Sequence, residues 1–412
     1  MGNGRLGIGF VGSGFVAGFH IRSLVSVRDA DVVAITSPTR AHAEAAAALA
    51  RELGVGEAKV HGSVAELAAD PAVDAVWLCS PNDTRLAVVE ELVDAVERGA
   101  ALTGVACEKP LARNVAEARR MLELVGRTPL LHGYLENQVF APGVARGKEI
   151  VWRRAAPIAG RPYLARAAEE HSGPHMPWFW SGERQGGGVL NDMLCHSYEA
   201  GRHLLTAPEE PRDALTVVDV SAQIASLKWT RPEYVEQLRE QSGGAVDYAR
   251  SPAEDFARAT VRLRSPEGLP LIVEATTSWG FVGPGLRLRM ELLGPEYSMQ
   301  VDTLHSELSV FLSRRVTGSE GDDLVEKQNA EQGLMPVVPD EAVSYGYVAE
   351  NQHMARAFFA GRQPDETWED GLAVTQVLMA CYLSAERGRI VAFPAPELET
   401  FVPAVAQGTW RG

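Results

Sequence analysis

The rhythm of apolar and polar positions changes about one third of the way along the chain. Up to about residue 136, short apolar runs alternate with stretches of helical period. The pattern predicts strands at 6–11, 31–36, 75–79, 102–107 and 130–133, and helices at 14–26, 41–53, 87–98 and 115–125. Strict alternation needs crossover connections, which favour parallel pairing and a doubly wound sheet. Beyond residue 136, apolar runs at 217–224, 259–263, 271–276, 286–292 and 308–312 follow one another without clear helices between them, the mark of an antiparallel or mixed sheet. Polar stretches at 228–255 and 317–340 predict long loops or lids, and helical runs at 347–360 and 371–387 close the chain. The expected fold class is therefore α/β: an N-terminal Rossmann, doubly wound parallel sheet over 1–136, then a C-terminal α+β domain with an open, largely antiparallel sheet over 137–412. The closing helix is free to pack back on the first domain.

Length and composition narrow the function classes. With 412 residues, 46% of them hydrophobic, the chain has material for two cores. A net charge of -15 and the absence of any Lys/Arg cluster argue against nucleic acid as a partner. Cys79, Cys107, Cys195 and Cys381 are scattered, form no CxxC pair and lie in apolar segments, which fits reduced thiols in the cytoplasm. No run reaches 18 apolar residues and no cleavable leader is recognisable, so neither membrane insertion nor secretion is expected.

The first chemical signal is Gly12-Ser13-Gly14-Phe15-Val16-Ala17, between a strand and a helix. The first glycine permits a tight turn, the second lets backbone approach a pyrophosphate, and the small third residue lets helix pack on strand. Helix N-terminal amides then hold the anion. Residues 12–16 are thus the expected dinucleotide cradle. After the second strand, where an acid would bind a ribose 2′-hydroxyl, the chain reads Thr36-Ser37-Pro38-Thr39-Arg40. Ser37 and Thr39 suit a hydroxyl or a phosphate. Arg40 suits a 2′-phosphate or is simply a solvated charge at a helix start, so NAD and NADP both remain open.

Two further sites carry proton chemistry. Cys107-Glu108-Lys109-Pro110 ends an apolar strand, where open α/β sheets bind ligands, and Lys109 there can stabilise a developing alkoxide. Asp192 and His196, four apart behind Gly186-Gly187-Gly188, share one face of a helix, so the acid can orient the imidazole. Between them, His171 to Trp180 is rich in groups that suit a sugar. His175, Trp178 and Trp180 are expected as pocket wall, and Phe179 as packing. His171, His175, Asp192 and His196 would have to converge to bind a metal, and no HExxH-like spacing supports that, so no metal is expected. His20 is expected to be structural, facing the sheet, and His203 to extend the face of His196.

The glycine loop, Glu108-Lys109-Pro110-Leu111, and Gly186-Gly187-Gly188 leading to Asp192 and His196 resemble, in that order, the glucose-fructose oxidoreductase, inositol dehydrogenase and rhizopine-catabolism family, Gfo/Idh/MocA. The resemblance spans nearly the whole chain, including Asp370-Gly371 and Ser384, Ala385 and Gly388 near its close. It implies a Rossmann domain followed by an α/β domain whose open sheet often forms an oligomer interface, hence a homo-oligomer, dimer or tetramer. It also implies NAD(P)-dependent hydride transfer at a secondary hydroxyl or keto carbon of a sugar, glycoside or cyclitol. Carried over by motif, Lys109, Asp192 and His196 are the catalytic set. Ser80, Pro81, Asn82, Glu108 and Lys109 adjoin the cofactor, and Lys109, Asn137, Asp192 and His196 adjoin the substrate. His196 is then expected to face the nicotinamide with Lys109 opposite, leaving room for one hydroxyl carbon.

The chain departs from the family in two places. A histidine common after Ser80-Pro81-Asn82 is replaced by Arg85, and the arginine often found after the sixth strand is Gln138. Two other readings are compatible with the resemblance: a glycosidase or lyase that retains NAD and works by transient sugar oxidation, and a non-catalytic sugar-sensing regulator. The intact Lys109, Asp192 and His196 argue against the regulator.

Overall fold

A computed structural model describes residues 4–305, 308–312, 326–328 and 332–412. It divides into two compact units, one of residues 1–141 with 345–375 and one of 142–344 with 376–412. The sequence pattern suggests a single cut at 136, but the segment 345–375 packs with the first unit because its helix Tyr347–Phe359 carries a buried apolar side, including Met354, Ala355 and Phe358.

The first unit is built on six parallel strands: β1 (Leu6–Val11), β2 (Ala30–Thr36), β3 (Lys59–His61), β4 (Ala75–Leu78), β5 (Gly104–Glu108) and β6 (Leu131–Leu135), in the order β3-β2-β1-β4-β5-β6. Every residue of β1, β4 and β5 is buried, as expected for strands covered on both faces, and this is why they read as unbroken apolar runs rather than alternating ones. The order reverses direction between β1 and β4, so the carboxyl ends of these two strands flank the switch point where doubly wound sheets take ligands. Phe10, Trp77 and Phe358 form an aromatic chain through the core, with Trp77 edge-on to Phe358.

The second unit contains a seven-stranded sheet of β7 (Leu164–Glu170), β8 (Thr216–Ala225), β9 (Phe256–Arg264), β10 (Pro270–Ser278), β11 (Arg287–Gly294), β12 (Tyr297–Asp302) and, after the pair named next, β15 (Val391–Ala392). Its order is β12-β11-β7-β10-β9-β8-β15, antiparallel except between β7 and β10. β13 (Leu308–Leu312) and β14 (Gly333–Val337) pair separately. Burial alternates along β9 and β10, so one face is apolar and the other carries Arg258, Thr260, Arg262 and Glu274. On the apolar face lies the helix Val189–Leu205, buried at all but one of its residues and packed on β7, β9 and β10.

The structure adds elements that the pattern does not reveal. β7 was not expected because its sequence, LARAAEE, lacks the branched and aromatic residues typical of strands. The polar stretch 228–255 contains a helix, Pro232–Gln241, which packs through Val235 and Leu238. Much of the stretch 317–340 lies outside the described residues. Phe358→Ala should destabilise the protein by about 3–5 kcal/mol, the usual cost of a fully buried phenylalanine, as read from denaturant unfolding followed by tryptophan fluorescence.

Candidate active site

In the first unit the ligand-binding edge is assembled from loops that leave β1, β2, β4 and β5. Gly12 has φ +104°, and a Cβ there would lie 2.7 Å from the carbonyl oxygen of Cys79, so only glycine passes. Gly14 faces open space, with nothing within 4 Å of an added Cβ, and it caps the helix Phe15–Ser23 without any side-chain hydrogen bond to the first turn. A tight glycine turn followed by an uncapped helix N-terminus fits a dinucleotide pyrophosphate. Phe15 is half exposed beside it.

Ser37 and Thr39 follow β2, and Arg40 opens the helix Arg40–Glu52, where its Nε donates to Glu44 Oε1 at 2.8 Å. Both side chains are largely exposed, so the pair is weak and does not commit Arg40. Ser80, Pro81 and Asn82 follow β4, with Ser80 and Asn82 buried and the Ser80 hydroxyl accepting from Thr84 at 2.8 Å.

At the end of β5, Glu108 turns inward rather than towards a ligand. Its Oε1 accepts from His20 Nε2 at 2.7 Å and its Oε2 accepts the backbone N–H of Lys109 at 3.0 Å. Burial alone would raise its pKa. The hydrogen bond from His20, with the nearby charges of Lys109 and Arg85, outweighs that and holds the carboxyl below its ordinary value. With Nε2 donating, His20 Nδ1 is left to accept from Asn351 Nδ2 at 2.9 Å, while Asn351 Oδ1 accepts the Trp77 indole N–H at 2.8 Å. His20 is thus structural, as its place on the first helix suggests, and it supports the residue before Lys109. Asn137, expected against substrate, is buried, and its side-chain nitrogen donates to the Tyr345 carbonyl at 2.7 Å.

In the second unit, Asp192 and His196 are one turn apart on the Val189–Leu205 helix, and each is only 4% exposed. Asp192 Oδ2 accepts the Trp279 indole N–H at 3.2 Å. His196 Nε2 lies 3.9 Å from Glu169 Oε2 on β7, too long for a hydrogen bond but close enough for charge to be felt. A buried imidazole is thus supplied with carboxylates on its own helix and on the sheet beneath.

The start of this helix is fixed by a second buried acid. Glu254 Oε1 accepts the N–H groups of Gly188 and Leu190 at 2.9 and 3.1 Å and the Tyr382 hydroxyl at 2.6 Å. The Tyr382 oxygen in turn accepts the N–H of Gly188 at 3.0 Å. A Cβ on Gly187 would lie 1.9 Å from that oxygen and one on Gly188 would lie 2.4 Å from the Glu254 carbonyl oxygen, so these two glycines are needed for close approach. Full burial, only partly offset by these hydrogen bonds, raises the Glu254 carboxyl to about 7.

The aromatic segment divides. Trp180, expected as pocket wall, is instead core: 5% exposed, its N–H given to the Pro174 carbonyl at 3.2 Å, its ring packed on Trp229, Tyr248 and Trp279. Trp178 stacks on Phe179, both half-buried. His175 is exposed as a residue, yet desolvation of its ring and the Lys327 ammonium lower its pKa to about 4. His171 Nδ1 accepts the N–H of Gly173 at 2.9 Å. His203, the one half-buried residue of the Val189–Leu205 helix, lies beside Arg212. Signals for Trp279, Glu254, Tyr382 and Glu169 were absent from local sequence, because each reaches the helix from a distant strand, loop or helix.

Comparison with known proteins fits this arrangement. The profile of the oxidoreductase family, NAD-binding Rossmann fold, matches residues 6–132, and that of its C-terminal alpha/beta domain matches residues 168–393. The chain belongs to the Gfo/Idh/MocA oxidoreductase family. Its first domain is the family's NAD-binding domain, so the cofactor is NAD or NADP. Among the relatives, a 1,5-anhydro-D-fructose reductase of Ensifer adhaerens is 28% identical over 63% of this chain and 73% of its own. A myo-inositol 2-dehydrogenase of Thermotoga maritima is 29% identical over 59% and 68% respectively. Among solved structures, GenD2 from gentamicin A biosynthesis in complex with NAD superposes with a TM-score of 0.74 at 25% identity, covering 95% of this chain and 97% of that one. Myo-inositol dehydrogenase from Lactobacillus casei, in complex with NAD(H) and myo-inositol, shares the fold at 18% identity, with a TM-score of 0.66 over 98% of this chain and all of its own. Among the described residues no helix is long and apolar enough to cross a membrane.

Two outcomes follow from the geometry. Gly12→Ala should weaken NADH binding by roughly tenfold or more in a fluorescence titration, because strain and the contact with Cys79 displace the loop. The folded protein holds the proton of Glu254 more tightly than the unfolded chain, so this group stabilises fully below pH about 4.5 and loses its contribution as pH rises towards 7. Glu254→Gln should flatten that part of the stability-versus-pH curve, measured by urea unfolding at a series of pH values.

Proposed function

We propose that the protein transfers a hydride between NAD(P) and a secondary hydroxyl or keto carbon of a sugar, glycoside or cyclitol. The observation that carries this reading is the buried pair Asp192 and His196, with Glu169 and Trp279 placed around them. Burying an imidazole and two carboxylates costs folding free energy, and buried titratable groups of this kind concentrate where proton transfer is done. The relatives named above as reductases and dehydrogenases of an anhydro sugar and an inositol support the same substrate class.

In the oxidative direction His196 takes the hydroxyl proton, and Lys109 holds the oxygen as negative charge develops on it. Asp192, anchored by Trp279, keeps the imidazole oriented. Gly12 and Gly14 hold the pyrophosphate, and Ser80, Pro81 and Asn82 border the cofactor. The nicotinamide, when bound, supplies the hydride acceptor. Proton and hydride leave the carbinol by separate routes. Ser37, Thr39 and Arg40 set the choice between NAD and NADP, and with no acid at this position NADP is admitted. All four cysteines are buried and unbridged, which supports a reducing compartment.

Lys109→Ala and His196→Ala should each lower kcat on a sugar or cyclitol substrate by roughly a hundredfold or more, as loss of a general base or an electrostatic stabiliser does, while NADH binding survives. A panel of sugars, glycosides and inositols, followed at the nicotinamide absorbance band, provides the substrate. Undiminished turnover in both variants would contradict the assignment.

A further inference from the structure

We infer that Arg85 is a positioning residue that holds Lys109 in place by gripping the backbone of its turn, taking over with a guanidinium the place where the family commonly has a histidine. The inference rests on the role proposed for Lys109. Arg85 opens the helix Arg85–Glu97 and is 3% exposed. Its Nη1 donates to the carbonyls of Glu108, at 2.6 Å, and of Pro110. Its Nη2 donates to the carbonyl of Lys109 at 3.3 Å, and its Nε to that of Ser80 at 3.1 Å. Three consecutive carbonyls, those of residues 108, 109 and 110, thus point at one cation, and the fourth contact ties the turn to the loop that follows β4.

This grip needs a planar fork. Guanidinium offers five donors in fixed directions, whereas imidazole has two ring nitrogens and an ammonium is a single point charge. Burying a cation is costly unless it is compensated, and here the compensation is the carbonyl dipoles together with the Glu108 carboxylate, whose pKa Arg85 helps to lower. Arg85 therefore holds the turn from behind while Glu108, tied to His20, fixes the N–H of Lys109 from the other side. Lys109 is gripped at both its amide and its carbonyl.

The test combines hydrogen exchange with a double-mutant cycle in the full-length protein. In Arg85→Lys and Arg85→Met, the Lys109 amide should exchange at least roughly tenfold faster than in wild type, since its hydrogen bond opens by local fluctuation once the clamp is gone. On a substrate turned over by wild type, Arg85→Met should lower kcat by roughly a hundredfold, the effect of a small misplacement of a catalytic group, with NADH affinity little changed. In a Lys109→Ala background the same substitution should cost almost nothing more, because Arg85 acts through Lys109. A residue that merely stabilised the domain would lower the residual rate in that background too. If Arg85→Met does not fold, Arg85→Lys decides, with an intermediate loss of kcat expected. Unchanged exchange at Lys109, or additive losses in the cycle, would overturn the inference. Full turnover in Lys109→Ala alone, or no turnover of any substrate by wild type, would instead defeat the proposed function, and the exchange measurement would still decide the clamp.

Discussion

The chemistry of the first unit depends on one buried charge cluster at the carboxyl end of β5. Glu108 is placed in the interior as an anion, and an anion there is tolerable only with donors and cations around it. His20, Arg85 and the amide of Lys109 supply them, and Asn351 supports His20 in turn. Because these partners come from the first helix, the start of the helix Arg85–Glu97 and the late helix Tyr347–Phe359, the turn bearing Lys109 is braced from three directions. The late segment is therefore part of the first unit's site support, and not only of its apolar core.

The second unit solves a similar problem with a neutral-leaning acid. Glu254 accepts three hydrogen bonds on one oxygen and thereby sets where the helix Val189–Leu205 begins, with the Tyr382 oxygen accepting the amides of Gly188 and Asn191. Once that start is fixed, helical geometry alone determines where Asp192 and His196 lie relative to the sheet. Trp279 then orients Asp192, and the aromatic cluster of Trp180, Trp229 and Tyr248 packs around Trp279 and its neighbours. Trp180, which resembles a sugar platform in sequence, packs instead against Trp279, the residue that holds the Asp192 carboxylate.

Much of this was legible in the sequence where the signal is contiguous. The alternation of strands and helices, the glycine loop after β1, the Glu108-Lys109-Pro110 turn and the spacing of Asp192 and His196 each occupy a few neighbouring residues, and the family match agrees with the two-domain fold they imply. What was not legible is the second layer. Asn351 reaches His20 across 331 positions, Tyr382 reaches Glu254 across 128, and Trp279 reaches Asp192 across 87. Local pattern carries no information about such pairs. β7 is hidden by alanines and charges that favour helix over strand, and Trp180 reads as a pocket wall because an indole suited to a sugar is equally suited to a core.

The central claim is that a carbinol hydrogen leaves as hydride to nicotinamide while its hydroxyl proton leaves through His196. Tracing deuterium from a sugar or inositol labelled at each secondary carbon tests it most directly, with the reduced cofactor and the solvent both analysed by mass spectrometry. The account predicts that for one labelled position the deuterium is recovered on the reduced nicotinamide, with a primary isotope effect on the chemical step. Deuterium appearing in water, with an aglycone released and no reduced cofactor accumulating, would contradict it.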